Sequence, residues 1–208
     1  MSEHGTPVTT VEELEAIVGE PTAAARDKTR PALHPLDAEW IAASPLVFVA
    51  TSDETGALDV SPKGDPDRVA LVLDERTLLL PERPGNRRVD GYRNVLRNPH
   101  VGLIFVVPGR GDTLRVNGRA TIVRDHPGFA ELEVRGHVAP LGLLVEVDEV
   151  FHHCSKAFLR SNTWKPETWR PETVVRRAVI AKTLERPDES LAQLDAYYGE
   201  SYAAKLYG

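Results

Sequence analysis

Two polar clusters on either side of a hydrophobic strand are the part of this chain best equipped for chemistry. Ser61-Pro62-Lys63-Gly64-Asp65 stands before a β-rich run, and Pro84-Gly85-Asn86-Arg87-Arg88 stands at the entrance of an expected helix. Each cluster offers cations, short polar side chains and turn amides, the groups that hold a phosphate. Leu78, Leu79 and Leu80 lie between them as an apolar neighbour. The ligand this pattern predicts has one charged end and one flat or apolar end. Arg160 and Trp164, in a proline-interrupted segment rich in aromatic and basic residues, are expected to border the same cleft, because aromatic faces bury area while arginine stacks and donates.

Other chemistries find less support. His152-His153-Cys154 contains metal-ligand types, but neighbours on a strand point in alternate directions and no second ligand group accompanies them, so no metal is expected. Cys154 lies near Lys156, whose charge favours a thiolate, yet without an acid-base arrangement a packed cysteine is the better reading. No pattern specifies a Ser-His-Asp triad or a catalytic carboxylate pair. The catalytic residues stay unassigned.

The chain has 208 residues, enough to bury roughly 70% of the surface exposed when unfolded. Its 25 basic residues are spread among 31 acidic ones, for a net charge of −6, so neither nucleic acid nor an anionic membrane is an expected partner. A single cysteine, no basic and apolar leader, and apolar runs too short to span a bilayer predict a soluble, cytoplasmic protein.

The elements that position the two clusters follow from periodicity. Thr10 and Glu13 suggest a capping box for a helix through Val18, and Asp37 is expected to cap a second helix over residues 37–43. Strands are predicted at 46–51, 58–61, 69–73, 77–80, 101–107, 113–123 and 141–147, with a bulge or close backbone contact at Asn117-Gly118. Helical spacing covers 86–97 and 125–133, and Asp188 can cap a C-terminal helix carrying Leu191, Leu194, Tyr198 and Tyr202. Strands dominate without regular βαβ alternation, which predicts a mainly β fold with peripheral helices, a small barrel or closed β domain.

Several runs carry a family resemblance in order: Asp59-Val60-Ser61-Pro62-Lys63-Gly64-Asp65, Thr77-Leu78-Leu79-Leu80-Pro81, Pro84-Gly85-Asn86-Arg87-Arg88, Asn94, Asn98-Pro99 and 114–120, then His153-Cys154-Ser155-Lys156-Ala157 and 160–164. Across about residues 45–165 the chain resembles the pyridoxamine 5'-phosphate oxidase-related flavoproteins. The resemblance implies an FMN-binding split β-barrel, a homodimer with flavin between subunits, and an oxidoreductase acting on a small organic substrate. It implies FMN phosphate anchors at Lys63, Arg87 and Arg88, with donors from Ser61, Gly64 and Asn86, and Leu79 and Leu80 beside the flavin ring. Residues 1–45 then form a helical extension, 46–165 the flavin-binding domain, and 166–208 a C-terminal extension with a terminal helix. The substrate-phosphate motif of the vitamin-converting oxidase is not found near the C-terminus, which argues against pyridoxamine phosphate as substrate. A non-enzymatic flavin- or haem-binding protein and a deazaflavin-dependent reductase are the alternatives.

Overall fold

The computed structural model describes residues 5–203 and 206–207. In chain order it contains helices α1 (Val11–Val18), α2 (Ala23–Arg26) and α3 (Pro35–Ala42), then strands β1 (Leu46–Ser52), β2 (Leu58–Gly64), β3 (Leu71–Asp74) and β4 (Thr77–Pro81). Helix α4 (Asp90–Val95) leads to β5 (His100–Val106), β6 (Thr113–Arg124) and β7 (Leu141–His153), and helices α5 (Lys156–Ser161), α6 (Arg177–Leu184), α7 (Leu191–Tyr197) and α8 (Glu200–Ala203) follow. The seven strands form one sheet in the order β2-β1-β5-β6-β7-β4-β3, and every neighbouring pair is antiparallel.

The sheet is open, which corrects the expected barrel. Among the described residues no backbone ladder joins the edge strands β2 and β3, so the fold is a mixed α/β structure and not a mainly β split barrel. The edges explain the failure to close. In β2, Pro62 has no N–H to give to another strand, and β3 has only four residues with a register shift near its end. The sheet nevertheless bends far enough for side chains at the end of β2 to meet the segment after β4: Lys63 touches Glu82 and Asp65 touches Arg83. Two ion pairs therefore bridge a seam that hydrogen-bonded backbone does not.

Alternation builds the main core. Val47 and Val49 of β1, Leu103 and Phe105 of β5, Leu114 and Val116 of β6, and Val145 and Val147 of β7 point inward with Leu78 and Leu80. Leu79 points to the opposite side, into a second core with Phe129 and Leu132 from a 3-10 segment at Pro127–Leu132. This segment replaces the expected helix over 125–133. β7 runs well past residue 147 because its second half pairs with the first half of β6. The register shift at Asn117-Gly118 occurs where expected, and a Cβ on Gly118 would lie 2.1 Å from the Glu146 carbonyl oxygen.

Helix boundaries show which capping groups prevail. His34, not Asp37, caps α3: its Nδ1 accepts from Leu36 N–H, while the Asp37 carboxylate in the first turn accepts from His34 N–H at 2.7 Å. Pro35 fits the first helical position because no partner is required there for an N–H. Thr10 caps α1 as expected, and Ser190, not Asp188, caps α7 with a reciprocal Gln193 contact. Helices α6 and α7 pack through Ala178, Ala181 and Leu194, with Tyr198 against them.

Candidate functional site

The seam opens into a cleft of about 400 Å³ between the end of β2, the segment after β4 and the start of α4. Ser61, Lys63, Gly64, Asn86, Arg87 and Arg88 all line it. Two clusters separated in sequence thus converge on one cavity. Leu79 and Leu80 do not line it: they are sealed in the two cores, and the apolar lining includes Val49, Val69, Pro81 and Leu143 instead. Arg160 and Trp164 lie elsewhere. Arg160 is exposed on α5, while Trp164 stacks on Phe158 and donates from Nε1 to the Arg110 carbonyl at 2.7 Å.

The loop that carries the arginines is irregular. The expected helix over 86–97 begins only at Asp90, because Arg87 (φ 63°) and Val89 (φ 49°) take left-handed conformations. That conformation is costly for a β-branched residue. Asn86 Oδ1 accepts from the Arg88 backbone N–H at 3.0 Å and folds the loop back on itself. Asn94 on α4 donates to Thr51 Oγ1, and Asn98 beyond the helix donates to Ser52 Oγ, tying both to β1.

Acidic partners decide the electrostatics of the cleft. Lys63 Nζ donates to Glu82 Oε2 at 2.5 Å and lies 5.3 Å from the centre of the Tyr92 ring. Arg83 pairs with buried Asp65 at 2.9 Å and also donates to the Leu132 carbonyl; Tyr207 adds a hydroxyl bond to Asp65. Arg88 is largely exposed and pairs with Asp90 at 2.6 Å. Among the described residues Arg87 is the cleft cation with no ion pair. Burial pushes the Tyr92 phenol well above its usual range, and the charge and hydrogen bond of Glu82 add to the effect, so Tyr92 is a protonated donor.

Glu82, Arg83 and Tyr92 are cleft residues that the sequence reading did not select. Glu82 and Arg83 had a signal: two opposite charges between Pro81 and Pro84, just after a strongly apolar strand. Tyr92 gave none beyond its place on the apolar side of a helix. Among the described residues no group of three or more His, Cys, Asp or Glu is arranged to hold a metal, and Cys154 is exposed. No helix among them is long and apolar enough to cross a membrane.

A family model described as Pyridoxamine 5'-phosphate oxidase matches residues 33–154, more than half of the chain, which therefore belongs to that family. No curated protein matches the sequence. Among solved structures the chain is similar to HupZ from Group A Streptococcus, at 22% identity and a TM-score of 0.45, covering 58% of this chain and 93% of that one. It is similar to an FMN-binding protein from Syntrophomonas wolfei, at 11% identity and a TM-score of 0.43, covering 58% and 90%. It is also similar to HutZ, the heme storage protein from Vibrio cholerae, at 16% identity and a TM-score of 0.41, covering 58% and 93%. At these scores the likeness says nothing of what this chain binds.

Proposed function

We propose that this chain is an FMN-binding flavoprotein that holds the cofactor by its phosphate in the seam cleft. The observation that carries the reading is the convergence of Ser61, Lys63, Gly64, Asn86, Arg87 and Arg88 on one cavity. This donor set fits a phosphate: Arg87 offers directed N–H groups free of a carboxylate, Lys63 a second cation, and Ser61 and Asn86 short neutral groups. The apolar lining from Val49, Val69, Pro81 and Leu143 suits the uncharged part of such a ligand. When bound, FMN supplies the electron or hydride transfer; the residues of the chain bind it, orient it and exclude water.

Binding is better supported than turnover. Lys63, Arg83 and Arg88 are engaged with Glu82, Asp65 and Asp90, and among the described residues the cleft offers no paired acid and base around a common point. This favours a flavin-binding role in which oxidoreductase activity on a small organic substrate depends on the cofactor's own chemistry. The reading includes a homodimer. It is supported by Phe48, Leu58, Val60 and Ile104, which share one sheet face by register and are all exposed.

Gentle purification followed by absorbance spectroscopy and mass identification of the bound molecule tests the proposal. Titrations with FMN, a deazaflavin and haem compare the alternatives, and sedimentation of the loaded protein reads its oligomeric state. Repeated absence of flavin together with no measurable FMN affinity would overturn the reading.

A further inference from the structure

The segment that carries Asn86, Arg87 and Arg88 is held at both ends. Beyond it, Asn94 on α4 donates to Thr51 Oγ1 of β1. Before it stands Arg83, whose guanidinium commits its donors to three separate parts of the chain. Nε reaches both oxygens of Asp65, at 2.9 and 3.1 Å, one terminal nitrogen donates to the Leu132 carbonyl, and the other donates to the His137 carbonyl at 3.4 Å. Tyr207, 142 residues from Asp65 in sequence, covers this junction. Its hydroxyl donates to Asp65 Oδ1 at 3.0 Å, and its ring lies 5.9 Å from the Arg83 guanidinium and 5.7 Å from that of Arg135, with the His137 ring at 6.3 Å. Burial, then the hydrogen bond and charge of Asp65, push the Tyr207 phenol above its ordinary value, so the hydroxyl is a donor at neutral pH.

We propose that Tyr207 is a positioning residue for the phosphate end of the cleft, which locks Arg83 against Asp65 and so holds residues 84–89 in the arrangement that presents Arg87 to a phosphate. The inference rests on the phosphate-binding reading above. Tyr207 stands outside the described lining of the cleft and acts through Asp65 and Arg83, which belong to it. Residues 84–89 need that anchor. Arg87 and Val89 are left-handed, a costly conformation that persists only where its surroundings enforce it, and inside the loop Asn86 Oδ1 accepts from the Arg88 N–H. The hydroxyl and ring of Tyr207 help to keep water from the Asp65 carboxylate, which is 1% exposed, and water is what would compete for the Arg83 donors. Loosening the pair gives the loop more conformations to lose when a phosphate binds. That weakens the hold on the phosphate and leaves contacts with the rest of the ligand as they are.

The test measures dissociation constants for FMN and riboflavin, which differ only by the phosphate, in wild type, Tyr207→Phe, Tyr207→Leu, Arg87→Ala and the double variant Tyr207→Phe with Arg87→Ala. Tyr207→Phe keeps the ring and removes the bond to Asp65, and Tyr207→Leu removes both. Each is expected to lower FMN affinity by about threefold to tenfold, the scale of ordering one more side chain on binding. Riboflavin affinity is expected to stay the same, whereas a general loosening of the fold would weaken both ligands alike. The loss is expected to shrink when Arg87 is already absent, because Tyr207 acts on how Arg87 is held. Amide hydrogen exchange without ligand gives an independent reading: residues 85–89 are expected to exchange faster in Tyr207→Phe, with β5 and β6 unchanged. An unchanged ratio of FMN to riboflavin affinity in both Tyr207 variants, or a full loss that persists without Arg87, overturns the role of Tyr207 and leaves the flavin-binding reading standing. A wild type that binds neither flavin overturns that reading; unaltered exchange at residues 85–89 then overturns the hold of Tyr207 on the loop as well, and faster exchange there sustains it.

Discussion

Lys63 at the end of β2 donates to Glu82 just beyond β4, although four strands separate β2 from β4 in the sheet order. This contact and its neighbour Arg83–Asp65 define the seam, and the same residues line the candidate cofactor cleft. The ion pairs that bridge the seam and the lining of the candidate cleft therefore share side chains. Variants in the cleft must be judged by stability as well as affinity.

Arg87 and Arg88 are expected to differ in their contributions to FMN binding. Arg87 has no carboxylate partner among the described residues, whereas Arg88 is 78% exposed and already paired with Asp90. Arg87→Ala is expected to weaken FMN binding roughly tenfold to hundredfold, the loss of one directed charge-assisted bond. Arg88→Ala is expected to have a smaller effect, and neither to alter the melting temperature of the apo-protein appreciably. Titration of FMN into each apo-variant checks the order; equal affinities for Arg87→Ala and wild type would remove Arg87 from the site.

Arg83→Met tests the other bridge across the seam. Asp65 is almost completely buried, and removal of Arg83 leaves it a buried charge with only Tyr207 as a side-chain hydrogen-bond partner among the described residues. Breaking such a pair from one side costs about 3–5 kcal/mol, more than the intact pair contributes. Urea unfolding is expected to show that loss, with substantial recovery when Asp65→Asn is added. If the single variant were as stable as wild type, the bridge would have no structural role.

Much of this organisation was legible from local pattern. Val47, Val49 and Thr51 alternate inward along β1 as their sequence indicates, and Asn117-Gly118 marks the irregularity in β6. The cations of the cleft were legible for the same reason: they lie in turn-rich segments beside apolar strands. Their acidic partners were not, because Lys63 and Glu82 lie 19 residues apart and meet only through the bend of the whole sheet. Leu79 and Leu80 suit a ligand wall by their apolarity and by the family resemblance, neither of which distinguishes a cleft wall from two cores on opposite faces of β4. The start of α4 was misread because helical spacing continues through Arg87 and Val89, whose backbone is left-handed. Neither strand count nor the family resemblance says whether the edges of a sheet pair, and β2 and β3 do not.

Gly118 permits β6 and β7 to approach closely at their irregularity. A Cβ there would meet the Glu146 carbonyl oxygen at 2.1 Å and its carbon at 3.1 Å, both backbone atoms that cannot swing aside. Gly118→Ala is expected to cost about 1–3 kcal/mol, the usual penalty for forcing atoms into a packed site. Gly56→Ala is a control for loss of glycine in open space, although its φ of 88° brings its own strain. Denaturant midpoints compare the two, and an unaffected Gly118→Ala protein would show that the strands can separate at little cost.

Asp37 predicts a distinct acid dependence. Burial pushes its carboxyl up, but the bidentate Arg30 bonds at 2.7 and 2.9 Å, the His34 amide and the charges of Arg30 and His152 outweigh burial and hold it below the ordinary value. A carboxyl depressed in the folded state stabilises above its unfolded pKa, about 3.9, and that stabilisation is lost as pH falls through the lower folded value. Wild type is therefore expected to be more stable than Asp37→Asn at pH 7, with the difference shrinking as the pH falls below about 4. The variant keeps a side-chain acceptor for the α3 cap but has no charge to pair with Arg30. Melting temperatures of both proteins from pH 7 to pH 3 measure the difference. A gap that stays the same across the acid range would mean that Asp37 acts through shape and hydrogen bonding, with no contribution from its ionisation.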